Sequence, residues 1–303
     1  MTSYSGMSAR DVPEARQDLI EWAAGRGGDL VAQRGRPGLG AALAASVRQA
    51  ELYFVTADMT QLAHTIGQGL DVYALAADDL PAEHGLLVWD APATGERPGA
   101  APTAVAWGTS RSRLMVSLLG PTGAYREWCA TDSPEAVRSA PLVTAGRLVY
   151  RGHGPVLPLD GPDLPWDRLG FGDYEEGMRT LLATLILINQ PVEARRSLHE
   201  TEDMTPSRAS QKRIRRAGGD PTRTVRAVTL RQTLRPQENA DGTGDHARRI
   251  YRHRWFVKAH RVQQYYPSRG EHQTIWRGPY LVAPAGCEDA PILGGERVNV
   301  LRR

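Results

Sequence analysis

The chain has 303 residues, 41% of them hydrophobic and 23% charged, with a net charge of +3. That balance suits a soluble globular protein of one large or two medium domains with a real hydrophobic core. The two cysteines, Cys129 and Cys287, stand alone, which excludes a disulfide framework and argues against a cysteine-based zinc site.

The opening residues MTSYSGMSARDVPEARQ lack a basic stretch followed by an apolar one, so no signal peptide is expected and the cytoplasm is the expected compartment. Residues 13–24 read as a helix starting at Pro13, with Leu19, Ile20 and Ala23 on one face. A Gly/Arg-rich connection over 25–40 leads to a second, Ala-rich helix over 39–49, and a short strand follows at 52–55. Residues 56–68 read as a helix with Asp58 as cap and Leu62, Ala63 and Ile66 inward. After Pro81 short apolar runs at 86–89, 104–107, 114–118 and 148–150, bounded by Gly/Pro clusters, read as strands. The Pro/Gly/Asp-rich segment 155–165 is the expected boundary. Asp173 then caps a helix running to Asn189, with Met178, Leu181, Leu182, Leu185 and Ile186 as its buried stripe. Its apolar run LLATLILI is too short to span a bilayer, so no membrane contact is expected. Residues 224–231 read as a strand, and 238–245 have the composition of a surface loop.

The expected fold is α+β. N-terminal helices and a small antiparallel sheet form an acidic domain over 1–160, and a basic region over 161–303 holds the core helix and a β hairpin.

Charge is segregated along the chain. Residues 1–194 hold 15 Arg against 23 acidic residues, a net of −8, and residues 195–303 hold 22 basic against 11 acidic, a net of +11. Only Lys212 and Lys258 are lysines, so position is more informative here than residue type. Either the basic half meets a polyanion, or the two halves face each other.

The stretch YRHRWFVKAHRVQQYYPSRGEHQTIWRGPY, residues 251–280, concentrates cations, rings and histidines. As one strand, 251–262 puts Tyr251, His253, Trp255, Val257 and Ala259 on one face and Arg252, Arg254, Phe256, Lys258 and His260 on the other. Pro267-Ser268-Arg269-Gly270 reads as a turn, with 272–277 pairing back. Arg252, Arg254, Lys258, Arg261 and Arg269 then suit phosphates, and Tyr265 and Tyr266 suit stacking on unpaired bases. Nucleic acid is the expected partner, single-stranded or RNA in preference, with an acidic partner protein as the alternative. A hairpin that brought His260 and His272 together would supply a general base and acid for metal-independent RNA cleavage. The plainer alternative makes both ordinary polar residues on a surface hairpin.

Other constellations carry less. RGHGP at 151–155 lacks the phosphate-loop pattern, and Asp78-Asp79 and Glu175-Glu176 are adjacent pairs that do not share a helix face. Glu200, Glu202 and Asp203 are read as a polar loop, so no metal and no cofactor are expected. SRASQKRIRRAGG at 207–219 resembles a helix-turn-helix recognition helix, although the preceding segment is too polar for a supporting helix.

Three stretches together resemble a family of uncharacterised proteins from actinobacteria, their phages and mobile elements: ELYFVTADMTQLA (51–63), LPAEHGLLVWDAP (80–92) and the C-terminal element from Trp255 on. Trp255, His260, Tyr266, Pro267, Ser268, Gly270, His272, Trp276, Pro279 and Tyr280 match the family's C-terminal motif, whereas Ala259 and Arg261 stand where Gly and Trp are expected. The resemblance brings no assigned activity. It implies a bacterial or phage setting and a role tied to mobile DNA.

Overall fold

The computed structural model describes residues 6–33, 37–93, 102–132, 138, 143–154, 156–189, 199–230, 255–257, 260–266, 270–277 and 280–282. Its centre is a nine-stranded mixed sheet. Strand β1 (Glu51–Val55) lies between β3 (His84–Trp89) and β11 (Val225–Leu230) and runs parallel to both. From β3 the sheet continues antiparallel through β4 (Ala104–Ser110), β5 (Arg113–Pro121), β7 (Leu148–His153) and β6 (Thr144–Ala145). β8 (Leu157–Pro158) pairs with the start of β5, and β10 (His199–Met204) lies antiparallel against β11. A separate two-stranded piece joins β2 (Val72–Tyr73) to β9 (Leu164–Pro165).

Alternation along the strands feeds two cores. In β1, Leu52 and Phe54 enter one and Tyr53 and Val55 the other; in β3, Leu86 and Val88 oppose Leu87 and Trp89. On the first face lie α1 (Val12–Ala24), α2 (Arg26–Gln33), α3 (Leu39–Gln49) and α5 (Thr122–Asp132). On the second lie α4 (Ala57–Gln68), which links parallel β1 and β3, and α6 (Glu175–Ile188). α7 (Arg208–Arg216) connects β10 to β11.

Glycines let the first three helices approach closely. A Cβ on Gly27 would lie 2.4 Å from the Trp22 ring, and one on Gly40 would lie 2.3 Å from the Gly28 Cα. Arg16, only 5% exposed, ties α1 to the end of α3. Its Nε donates to the Val47 carbonyl at 2.8 Å and its Nη2 to the Arg48 carbonyl, so two carbonyls of the final helical turn find donors. Burial, reinforced by the nearby Arg223 and Arg48, pulls the Arg16 pKa down to about 10.

α6 is buried on nearly every side rather than along one stripe. Its polar members are satisfied from within: Thr180 donates to the Ala93 carbonyl at 2.7 Å, and Thr184 donates to Thr180 and accepts from Trp89 Nε1 at 3.2 Å.

The chain is therefore a mixed helix-and-strand protein, and several finer expectations change. The sheet is large and partly parallel rather than small and antiparallel. It also runs across position 160, because β10, β11 and α6 complete the sheet and core begun by the first half. Thr56, not Asp58, is the N-cap residue of α4. The element before α7 is a strand, so there is no helix-turn-helix. Residues 26–33 and 122–132 are helical, and 199–204, expected as loop, form β10.

Beyond β11 the described residues form two separate strand pairs, together called the ribbon here. β12 (Trp255–Val257) pairs antiparallel with β15 (Tyr280–Val282), and β13 (His260–Tyr266) with β14 (Glu271–Arg277). Both pairings keep one register. Val257 faces Tyr280, and three positions further along each strand His260 faces Arg277.

Candidate nucleic-acid interface

The ribbon's register decides which of its side chains meet. Tyr265 pairs with His272, and their rings lie 5.0 Å apart at 47°. Tyr265 is 48% exposed, one of two large hydrophobic side chains left in solvent among the described residues. Gly270, just before β14, has φ +67°, a left-handed conformation that glycine adopts without strain.

The same register keeps His260 from His272. His260 is five positions from Tyr265, the direct partner of His272, and an odd offset puts the two histidines on opposite faces. They are also roughly 17 Å apart along the strands, at about 3.4 Å per residue. No acid–base pair forms between them within the ribbon. Arg261 stands opposite Trp276, and Tyr266 opposite Glu271. Arg252, Arg254, Lys258 and Arg269 lie outside the described residues.

α7 presents a cationic surface on the main body. Its sequence, RASQKRIRR, has only two buried residues, Ser210 and Ile214. At about 100° per residue, Arg208, Lys212, Arg215 and Arg216 fall within an arc of roughly 100° on the opposite side. All four are exposed, and none forms an ion pair among the described residues. Arg213 points elsewhere. Its Nε lies 2.5 Å from Glu14 Oε1 and its Nη2 donates to Glu14 Oε2 at 2.8 Å.

That contact fixes the helix to α1. The buried Ser210 hydroxyl also donates to Glu14 Oε2, at 2.9 Å, and Arg147 stands 3.9 Å from the same oxygen. Burial works to raise the Glu14 pKa. Hydrogen bonds from Arg213 and Ser210, with the charges of Arg147 and Arg213, outweigh it, and the net shift is downward. Both helix ends are closed. Ser207 Oγ accepts from the Ser210 N–H at 3.1 Å, and beyond the C-terminus the Gly218 and Gly219 N–H groups donate to the Arg215 and Ile214 carbonyls. Gln17 of α1 donates to the Ala217 carbonyl at 3.1 Å.

Acidic front and basic back thus do meet, at Glu14, yet this contact takes one cation of α7 and leaves four facing water. The basic spacing was visible in the sequence. The Glu14 anchor was not, because it lies 199 residues from Arg213.

Other polar clusters on the main body are structural. A cleft between α4 and α6 is lined by Gln68, Asp173, Glu175, Glu176 and Arg179. Arg179 pairs with Glu175 at 2.9 Å and lies over the Trp166 ring, while Glu176 takes Gln68 and His64 at 3.3 Å each. Among the described residues two Ser–His contacts occur. Ser46 donates its proton to the Trp107 carbonyl at 2.9 Å, so it accepts from His84 and is not an activated nucleophile. Ser117 meets His153 Nδ1 at 2.7 Å but is 4% exposed within the sheet. Among the described residues no three His, Cys, Asp or Glu side chains gather to hold a metal, and no helix is long and apolar enough to cross a membrane.

Comparison with protein-family models, with curated proteins and with solved structures returns no match for this chain.

Proposed function

We propose that the basic C-terminal half binds nucleic acid, with unpaired strands or RNA preferred and the ribbon as the contact surface. The observation that carries this reading is Tyr265, a half-exposed ring set against His272 on a ribbon within the half that holds the +11 net charge. A ring held open to water on a cationic element offers a stacking platform for bases, and stacking of this kind contributes about 1–3 kcal/mol per base. Arg252, Arg254, Lys258, Arg261 and Arg269, carried by the same stretch, supply phosphate contacts. The resemblance to proteins of actinobacteria, their phages and mobile elements fits a role at nucleic acids in such a system.

The test is fluorescence anisotropy of labelled single-stranded RNA, single-stranded DNA and duplex against the purified chain, with chelator present, at two salt concentrations. Binding that favours unpaired strands and weakens in Tyr265→Ala and in R252A/R254A/K258A supports the reading. Equal binding by parent and both variants removes the ribbon from it. Displacement of a bound strand by acidic protein alone, or no binding at low salt, moves the partner to another class.

A further inference from the structure

We propose that the outward face of α7 is a second phosphate-contact surface, one that holds a nucleic-acid backbone without reading its bases. This rests on the nucleic-acid reading above but concerns a different element, on the main body of the protein.

Two observations lead to it. First, Arg208, Lys212, Arg215 and Arg216 share one face over about 12 Å of helix, at 1.5 Å rise per residue. Like charges at these spacings repel one another, so the arrangement gives the isolated protein no stability. A polyanion relieves that repulsion and releases its own counterions on binding. Second, the helix is held before any ligand arrives. Ile214 and Ser210 are buried, Glu14 takes Arg213 and Ser210, Gln17 takes Ala217, and both ends are capped. Cations on a fixed element lose less freedom on binding than cations on a loop.

The face carries no ring, carboxylate or amide among its four outward cations. It therefore offers charge for phosphates and no ring to stack on a base, and contacts confined to phosphates carry no sequence information. The ribbon differs in carrying Tyr265 and His272, so the two surfaces divide the work into stacking and backbone contact.

The experiment compares three full-length proteins: the parent, R208Q/K212Q/R215Q/R216Q and Tyr265→Ala. Glutamine keeps helix propensity close to that of Arg and Lys, and all four positions are exposed, so the fold is expected to persist. Affinity for a labelled RNA strand is measured between about 50 and 200 mM salt. Neutralising four contacts should reduce the slope of log K against log salt by about 3, at roughly 0.7–0.9 per phosphate. The variant's deficit should then be about 60-fold larger at the low end of that salt range than at the high end. Tyr265→Ala should weaken binding with an unchanged slope. If the parent binds and the quadruple variant keeps the parent's slope, α7 is not a phosphate surface, and the ribbon reading stands without it. If the parent binds no strand at low salt, both readings fall. Should the quadruple variant melt below the parent, R208Q/K212Q alone should lose about half as much slope, and an unchanged slope there overturns the proposal equally.

Discussion

Glu14→Ala tests the idea that one carboxylate docks α7 on α1. The substitution removes the acceptor for the Ser210 hydroxyl, which is 1% exposed, and for the Arg213 guanidinium, whose side chain is 52% exposed. A buried hydrogen bond to a charged acceptor contributes about 1.5 kcal/mol. The half-exposed ion pair adds about 0.5 kcal/mol. Arg147, at 3.9 Å, adds little. The expected loss is therefore about 2 kcal/mol. Unfolding entropy of about 2.1 cal/mol/K per residue gives roughly 0.6 kcal/mol/K for this chain, so Tm should fall by about 3 °C. The effect has a pH signature. The folded-state pKa of Glu14 lies below its ordinary 4.5, so its contribution is complete above that pH and is lost as pH falls through the lowered value. Thermal denaturation by circular dichroism over a series of pH values from 7 downward should show the full difference at pH 7 and a deficit that narrows as the pH falls below 4.5. An unchanged Tm at pH 7, or a deficit that stays constant as the variant and parent are acidified, would refute the anchoring role.

Asp18 should behave in the opposite sense. Burial, with Glu14 and Glu21 close by and only partly offset by Arg147 and Arg213, raises its pKa to about 6. The folded state then holds the proton more tightly than the unfolded chain, whose carboxyl has its ordinary 3.8. Stability falls as pH rises between those values and the penalty persists above them. Asp18→Asn should raise Tm at pH 8 relative to the parent and narrow that gain toward pH 4, and a lower Tm at pH 8 would contradict the account. Gly85→Ala is expected to be severe, because the new Cβ would lie 2.0 Å from the buried Trp107 ring in the neighbouring strand. A cost of about 1–3 kcal/mol or more follows from overpacking, read as a lower Tm or a loss of soluble protein.

Local pattern revealed the elements far better than their assembly. The apolar runs at 52–55, 86–89 and 104–107 announced strands, and each is one. Their pairing was hidden, because nothing in ELYFV says that it sits parallel to VRAVTL about 170 residues later. Residues 26–33 looked like a connection because of Gly27 and Gly28, yet those glycines are what let α2 press against Trp22 and α3. β10 escaped notice for the reverse reason. HETEDM is charged and mostly exposed, as suits an edge strand that must not recruit another chain, and its polarity reads as a loop. On the candidate interface, the cations and rings were legible as residue types. Register was not, and a shift of one position would have changed which face His260 and Tyr265 occupy.

The place of β11 beside β1 sets a constraint on biosynthesis. β1 is complete at Val55, but one of its edges is covered only when residues 226–228 arrive, and the Thr56 N–H waits for the Val228 carbonyl. At about 5–20 residues per second, a nascent chain leaves that edge open for roughly 10–35 s. A fragment cut at the Pro/Gly-rich segment near position 160 would keep it open permanently, alongside a core face lacking α6. Such a fragment should aggregate through the bare edge rather than fold as a domain. For this chain the sheet closes late, and the basic half has to be made before the acidic half can finish folding.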